Sequence, residues 1–156
     1  MNNNPKLLET LNVIEIGQNI AAPFASKLLA DLGANVIKIE PKEGDIARKI
    51  GPFPNDIINL EKSGLFLSLN TSKLGITLDF DNEEDIKHLY NLLETTDVLI
   101  EDQSYQLNSN FKFDYEKLTK KYPKLIVTTI TPFGLTGPYK DYKANDLILF
   151  HMSSYA

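Results

Sequence analysis

The chain has 156 residues, 42% of them hydrophobic, which suits one domain with a sizeable core. A net charge of −5 excludes a general nucleic-acid binder, so cations for an anionic ligand must be placed locally. The absence of cysteine removes disulfides, thiolate nucleophiles and cysteine metal sites, and two histidines are too few to predict a zinc centre.

The opening residues, Met1-Asn2-Asn3-Asn4-Pro5, are polar and lack the apolar core of a signal peptide. No apolar run approaches the ~20 residues needed to span a bilayer. No membrane partner is expected, and the cytoplasm is the default location. Residues 1–10 read as a polar tail and residues 11–156 as one domain.

Asn12 to Ile16 predicts a buried strand closed by Gly17. Ala22 to Leu32 predicts a helix, with Phe24, Leu28, Leu29 and Leu32 at helical spacing. Pro23 suits its first turn and Gly33 its C-terminal cap. "NVIKIE", Asn35 to Glu40, predicts a second strand buried on both faces of a parallel sheet. Pro41 to Asn59, with three prolines and two glycines, reads as an excursion. Phe66 to Leu69 and Gly75 to Asp79 read as short extended pieces around the turn Asn70-Thr71-Ser72-Lys73. Asn82 caps a helix from Glu83 to Thr95 with Ile86, Leu89, Leu92 and Leu93 on one face. Asp97 to Glu101 is a strand, Tyr115 to Lys121 a short helix, and Leu125 to Thr131 a β-rich run. Strands alternating with helices predict an α/β, Rossmann-like domain with a mainly parallel sheet and flanking helices.

In such sheets ligands lie beyond the C-terminal strand ends. Four ends can be read: Gly17 to Ile20, Glu40 to Lys42, Glu101 to Gln103, and Thr131 to Gly134. The first strand feeds no GxGxxG loop. Gln18 and Asn19 offer backbone groups and amides, which suit an adenine edge or an amide better than a wrapped diphosphate; both also serve as ordinary turn residues. Lys42, Lys73 and Lys143 are local cations for phosphate, or solvated surface lysines. No carboxylate spacing singles out an acid/base pair.

"VIEIGQNIAAPFASKLLADLGANVIKIEPKEGD" resembles the N-terminus of class III CoA-transferases, the CaiB/BaiF-type family that includes formyl-CoA transferase, carnitine CoA-transferases and 2-methylacyl-CoA racemase. Further matching pieces follow in order: "LSLNTSKLGITLDF", "TTDVLIE", "YPKLIV" and "PFGLTGPYKDYKANDLI". The resemblance implies a coenzyme A or acyl-CoA substrate, a carboxylic acid as second substrate, and no required cofactor. It places Gln18, Asn19, Ile20 and Ala21 along the nucleotide end, Leu78 near the adenine, and Lys143 near the phosphates or pantetheine. By charge and position Lys42 and Lys73 are candidate phosphate partners, and Asp102 and Gln103 occupy the loop where the family carries Asn-Phe.

Departures accompany the match. Asp102-Gln103-Ser104-Tyr105-Gln106 replaces the usual loop, Asn110 stands at the family's arginine, and Pro132 replaces a glycine. The family's nucleophilic aspartate would fall after Ala156. The chain is therefore expected to be incomplete relative to the family fold, with open sheet edges and uncovered apolar faces. The family partner arrangement is an interlocked homodimer, for which a C-terminal complementing chain would be a substitute. Two rival readings are a non-catalytic CoA-binding remnant and a racemase-like enzyme. The racemase needs a histidine where Asn145 stands.

Overall fold

The computed structural model describes residues 6–103 and 109–153. Ser104, Tyr105, Gln106 and the first five residues of the expected tail lie outside the described residues. Strand β1 spans Asn12–Ile16, β2 Asn35–Glu40, β3 Leu74–Thr77, β4 Val98–Glu101 and β5 Ile126–Thr129. They form one sheet in the order β3-β2-β1-β4-β5, and every pairing is parallel. The helices are α1 (Ala21–Asp31), α2 (Gly64–Leu69), α3 (Glu83–Leu93), α4 (Tyr115–Lys121) and α5 (Asp146–Met152).

The central strands β1, β2 and β4 bury both faces, which is why their sequences run apolar without alternation, whereas the edge strands β3 and β5 stay largely exposed. Ile14, Ile16, Ile39 and Leu99 meet Leu89, Leu93 and Leu118 of α3 and α4 on one side. Val13, Val36 and Ile100 meet Ala22 and Ala30 of α1 on the other. Asn82 caps α3 as expected, its side chain accepting from Glu84 N–H at 2.8 Å. Gly33 ends α1 with φ 105°, and Ala34 N–H reaches back to Leu29 O at 3.0 Å. Leu8 packs against the α1 side of the core, so order begins before residue 11.

Two expectations need correction. Phe66 to Leu69 is helical, not extended: the Ser63 hydroxyl accepts from Phe66 N–H at 3.1 Å and starts α2. Helix α1 also turns a different face inward. Ala22, Ser26 and Ala30 press on the sheet, while Phe24, Leu28 and Leu32 are each about half exposed. Only small residues fit because the helix starts so close to the end of β1. The large apolar side chains left outside join Leu147, Phe150 and Met152 of α5 as exposed apolar surface.

Candidate functional site

The strand order reverses direction between β1 and β4, and a crevice opens beyond their C-terminal ends. A cleft of about 720 Å³ lies there, bounded by Gln18 to Ala21, Ile46, Asp102, Gln103, Ile130 to Pro132, and Asp146 and Leu149 of α5. Six of the sequence-predicted residues meet in it: Gln18, Asn19, Ile20, Ala21, Asp102 and Gln103. Lys42 and Leu78 line a separate hollow of about 240 Å³ at the ends of β2 and β3. There Lys42 Nζ donates to Asp79 at 2.7 Å, and Leu78 is mostly buried. Lys143 is exposed in the loop before α5 and lines neither space.

Lys73 has a structural position. Its side chain is 1% exposed, and Nζ donates to Glu15 Oε2, Pro23 O and Asn70 Oδ1 at 2.8, 2.8 and 2.9 Å. Burial pulls its pKa below the ordinary lysine value, partly offset by Glu15. All three donor positions are engaged, which argues against a phosphate at this ammonium.

The turn from β1 into α1 is held from beneath. Gly17 O accepts from Lys38 Nζ at 2.8 Å, Gln18 N–H donates to Asp102 Oδ2 at 3.0 Å, and Asn19 N–H donates to Asp45 Oδ1 at 2.9 Å. Gln18 Oε1 in turn accepts from Ile46 N–H at 3.1 Å. The backbone N–H groups of Gln18 and Asn19 are therefore occupied by carboxylates. Among the described residues no Lys, Arg or His lines the cleft, and Asp102 and Asp146 do. Such a lining suits neutral, amide-bearing parts of a ligand.

Sequence reading missed the ionic cluster below. Lys38 Nζ meets Glu15 Oε1 at 2.7 Å and Asp45 Oδ2 at 2.8 Å, and Ser26 Oγ donates to Glu15 Oε2 at 2.8 Å. Burial lowers the Lys38 pKa, but Glu15 and Asp45 outweigh it and hold it above the ordinary value. One signal was available: Glu15 and Lys38 are the charges inside two apolar strands, and they stand opposite each other in the parallel register.

Two more carboxylates fix the flanks. Glu40 takes a bidentate grip from Arg48, Nε–Oε2 at 2.7 Å and Nη2–Oε1 at 2.8 Å. Burial raises the Glu40 pKa, but Arg48 and the Asp45 N–H bring it below 4.5. That contribution to stability is present above the ordinary carboxylate range and is lost as pH falls through the lowered value. Glu101, fully buried at the end of β4, is pushed the other way by desolvation. It accepts from Gln103 N–H and Tyr115 O–H, both at 2.8 Å, and so places the cleft residue Gln103, whose φ is 58°. Among the described residues no group of three metal-ligating side chains comes together, and no helix is long and apolar enough to cross a membrane.

An open, doubly wound parallel sheet with its cleft at the strand reversal defines a Rossmann-like domain. The sequence model of CoA-transferase family III matches residues 8–156, and the chain belongs to that family. It is 37% identical to the succinate–glutarate CoA-transferase of Agrobacterium fabrum, over 99% of this chain and 40% of that protein. It is 35% identical to the cinnamoyl-CoA:phenyllactate CoA-transferase of Clostridium sporogenes, over 96% of this chain and 36% of the relative. Among solved structures, a CaiB/BaiF family protein from Brucella suis superimposes with a TM-score of 0.81 at 35% identity. That match covers 94% of this chain and 39% of the other. The chain thus spans about two fifths of the length of the proteins it matches.

Proposed function

We propose that the chain forms the CoA-binding part of a class III CoA-transferase, which moves CoA between an acyl-CoA and a carboxylic acid. The observation that carries this reading is the meeting of Gln18 to Ala21 with Asp102 and Gln103 in one cleft at the strand reversal. The uncharged walls of Ile20, Ala21, Ile46 and Ile130 would hold neutral parts of CoA. Lys42 and Lys143, the exposed cations among the residues in question, remain for its phosphates. In the complete reaction an aspartate attacks the acyl-CoA thioester, giving a mixed anhydride and CoA thiolate. The thiolate then attacks the anhydride to form an enzyme thioester and release the first acid. The second carboxylate attacks that thioester, forming a new mixed anhydride and expelling CoA thiolate. This thiolate attacks the acyl carbon to give the new acyl-CoA and free the aspartate. The residues described here bind and orient; none is assigned the nucleophile's role.

Thermal unfolding with CoA or NAD tests the reading. A ligand at ~100 times its dissociation constant adds about 2.7 kcal/mol, or roughly 5–10 °C for a domain of this size. CoA should give such a shift and NAD none, since the β1–α1 turn lacks the glycine-rich loop of a dinucleotide site. A shift with NAD alone would overturn the assignment. No shift with either ligand would favour the non-binding remnant.

Racemase chemistry is not expected. Asn145 caps α5, its side-chain oxygen accepting from Ile148 N–H at 3.0 Å, and a carboxamide does not act as a general base near neutral pH. A 2-methylacyl-CoA incubated with the protein in D2O should keep its α-proton. Deuterium at the α-carbon, detected by mass spectrometry, would contradict this.

A further inference from the structure

Two carboxylates take the N–H groups of the β1–α1 turn, and they differ in kind. Asp102 lines the cleft, whereas Asp45 is 0% exposed and lines none of it. Asp45 Oδ1 accepts from Asn19 N–H at 2.9 Å and from Ala47 N–H at 2.8 Å. Its other oxygen has no well-directed hydrogen bond and is held by the charge of Lys38 Nζ, 2.8 Å away. The same ammonium grips Gly17 O at 2.8 Å. Lys38 and Asp45 thus clasp the turn at two points from below. Asn19 sits at the held point with φ 64°, a left-handed conformation that asparagine tolerates better than most residues and that the bond to Asp45 fixes in place.

We infer that Asp45, backed by Lys38, is a positioning residue for the ligand, fixing Asn19 in the cleft wall without touching the ligand itself. This rests on the CoA-site reading above. The first strand of this chain thereby does without a glycine-rich cradle. A buried charge pair, not a run of glycines, sets the path of the turn. The device also explains why a carboxylate can stand beneath an anion-binding protein's ligand loop. Its charge is neutralised by Lys38 and is not presented to the cleft.

Wild-type chain, Asp45→Ala and Asp45→Asn would be compared by residue-resolved amide hydrogen exchange and by calorimetry with CoA. Losing the charge-assisted bond to Asn19 should speed exchange at Asn19 and weaken CoA binding roughly tenfold or more in Asp45→Ala. The amides of β1 and β2 should keep their protection. Asp45→Asn should fall between, because an amide can accept from Asn19 or face Lys38 favourably, but cannot do both. Unchanged exchange at Asn19, or CoA affinity within about twofold of wild type, overturns the inference. A loss of affinity that merely follows loss of protection throughout β1 and β2 also overturns it, since that marks a structural role alone. If Asp45→Ala does not fold, Asp45→Asn decides by the same two readouts. Failure of the wild type to bind CoA would count against the CoA reading. Exchange at Asn19 would then decide the clasp: faster in the variant supports it, unchanged overturns it.

Discussion

Lys38→Met is expected to cost about 3–5 kcal/mol of folding stability, the range for breaking a buried charge pair by removing one partner. Methionine fills nearly the same volume, so the penalty would be electrostatic and not a cavity. Glu15 and Asp45 are both fully buried and would face each other across an uncharged side chain. Glu15 retains Lys73 and Ser26, but Asp45 loses its ion-pair partner. Set against a typical total of ~5–15 kcal/mol, the change would leave a marginal fold. The dependence on pH follows from the sign of the shift. The Lys38 pKa is raised above 10.5, so its stabilisation is fully present below that value and is lost only as pH rises through the higher one. The penalty should therefore be uniform across the neutral range. Urea unfolding followed by circular dichroism measures it. A loss under about 1 kcal/mol, the scale of an exposed pair, would show that water reaches the cluster.

Much of the scaffold is legible in the sequence because local signals and tertiary packing agree there. Asn12–Ile16, Asn35–Glu40 and Tyr115–Lys121 fall where the pattern puts them. Each is bracketed by a glycine, a turn or a capping aspartate. Phe66 to Leu69 escapes because four apolar-rich residues fit either state, and the deciding cap sits three residues upstream at Ser63. The inward face of α1 escapes for another reason. Periodicity locates an apolar stripe but not which side the sheet can approach, and Gly17 and Ala22 settle that by contact. Within the site, Gln18 to Ala21 and Gln103 could be placed at strand ends by pattern. The function of Lys73 could not. Its partner Glu15 lies 58 positions away, and only the packed sheet brings the two together. A lysine in a polar turn reads as surface until the carboxylate beneath it is known.

Gly17→Ala is expected to be strongly damaging for the addition of a single methyl group, costing about 3 kcal/mol, the upper part of the range for overpacking. A Cβ built at Gly17 would stand 2.3 Å from Ala22 Cβ and 3.0 Å from Asp102 Oδ2. Neither neighbour can yield cheaply. Ala22 is fully buried in the first turn of α1, and Asp102 Oδ2 is the acceptor for Gln18 N–H. Relief requires α1 to lift from the sheet or the end of β1 to twist, and both would move the cleft wall. CoA affinity should therefore fall roughly tenfold even where most molecules remain folded. The contact can be tested directly by a double-mutant cycle. Ala22→Gly alone should cost about 1 kcal/mol through helix propensity, yet in the Gly17→Ala background it removes the clashing methyl and should restore stability. Additive losses in the double variant would sink the explanation. Recovery would show that one glycine, placed where a helix meets a strand end, supplies the close approach that a glycine-rich fingerprint provides elsewhere, leaving support of the turn to Lys38 and Asp45.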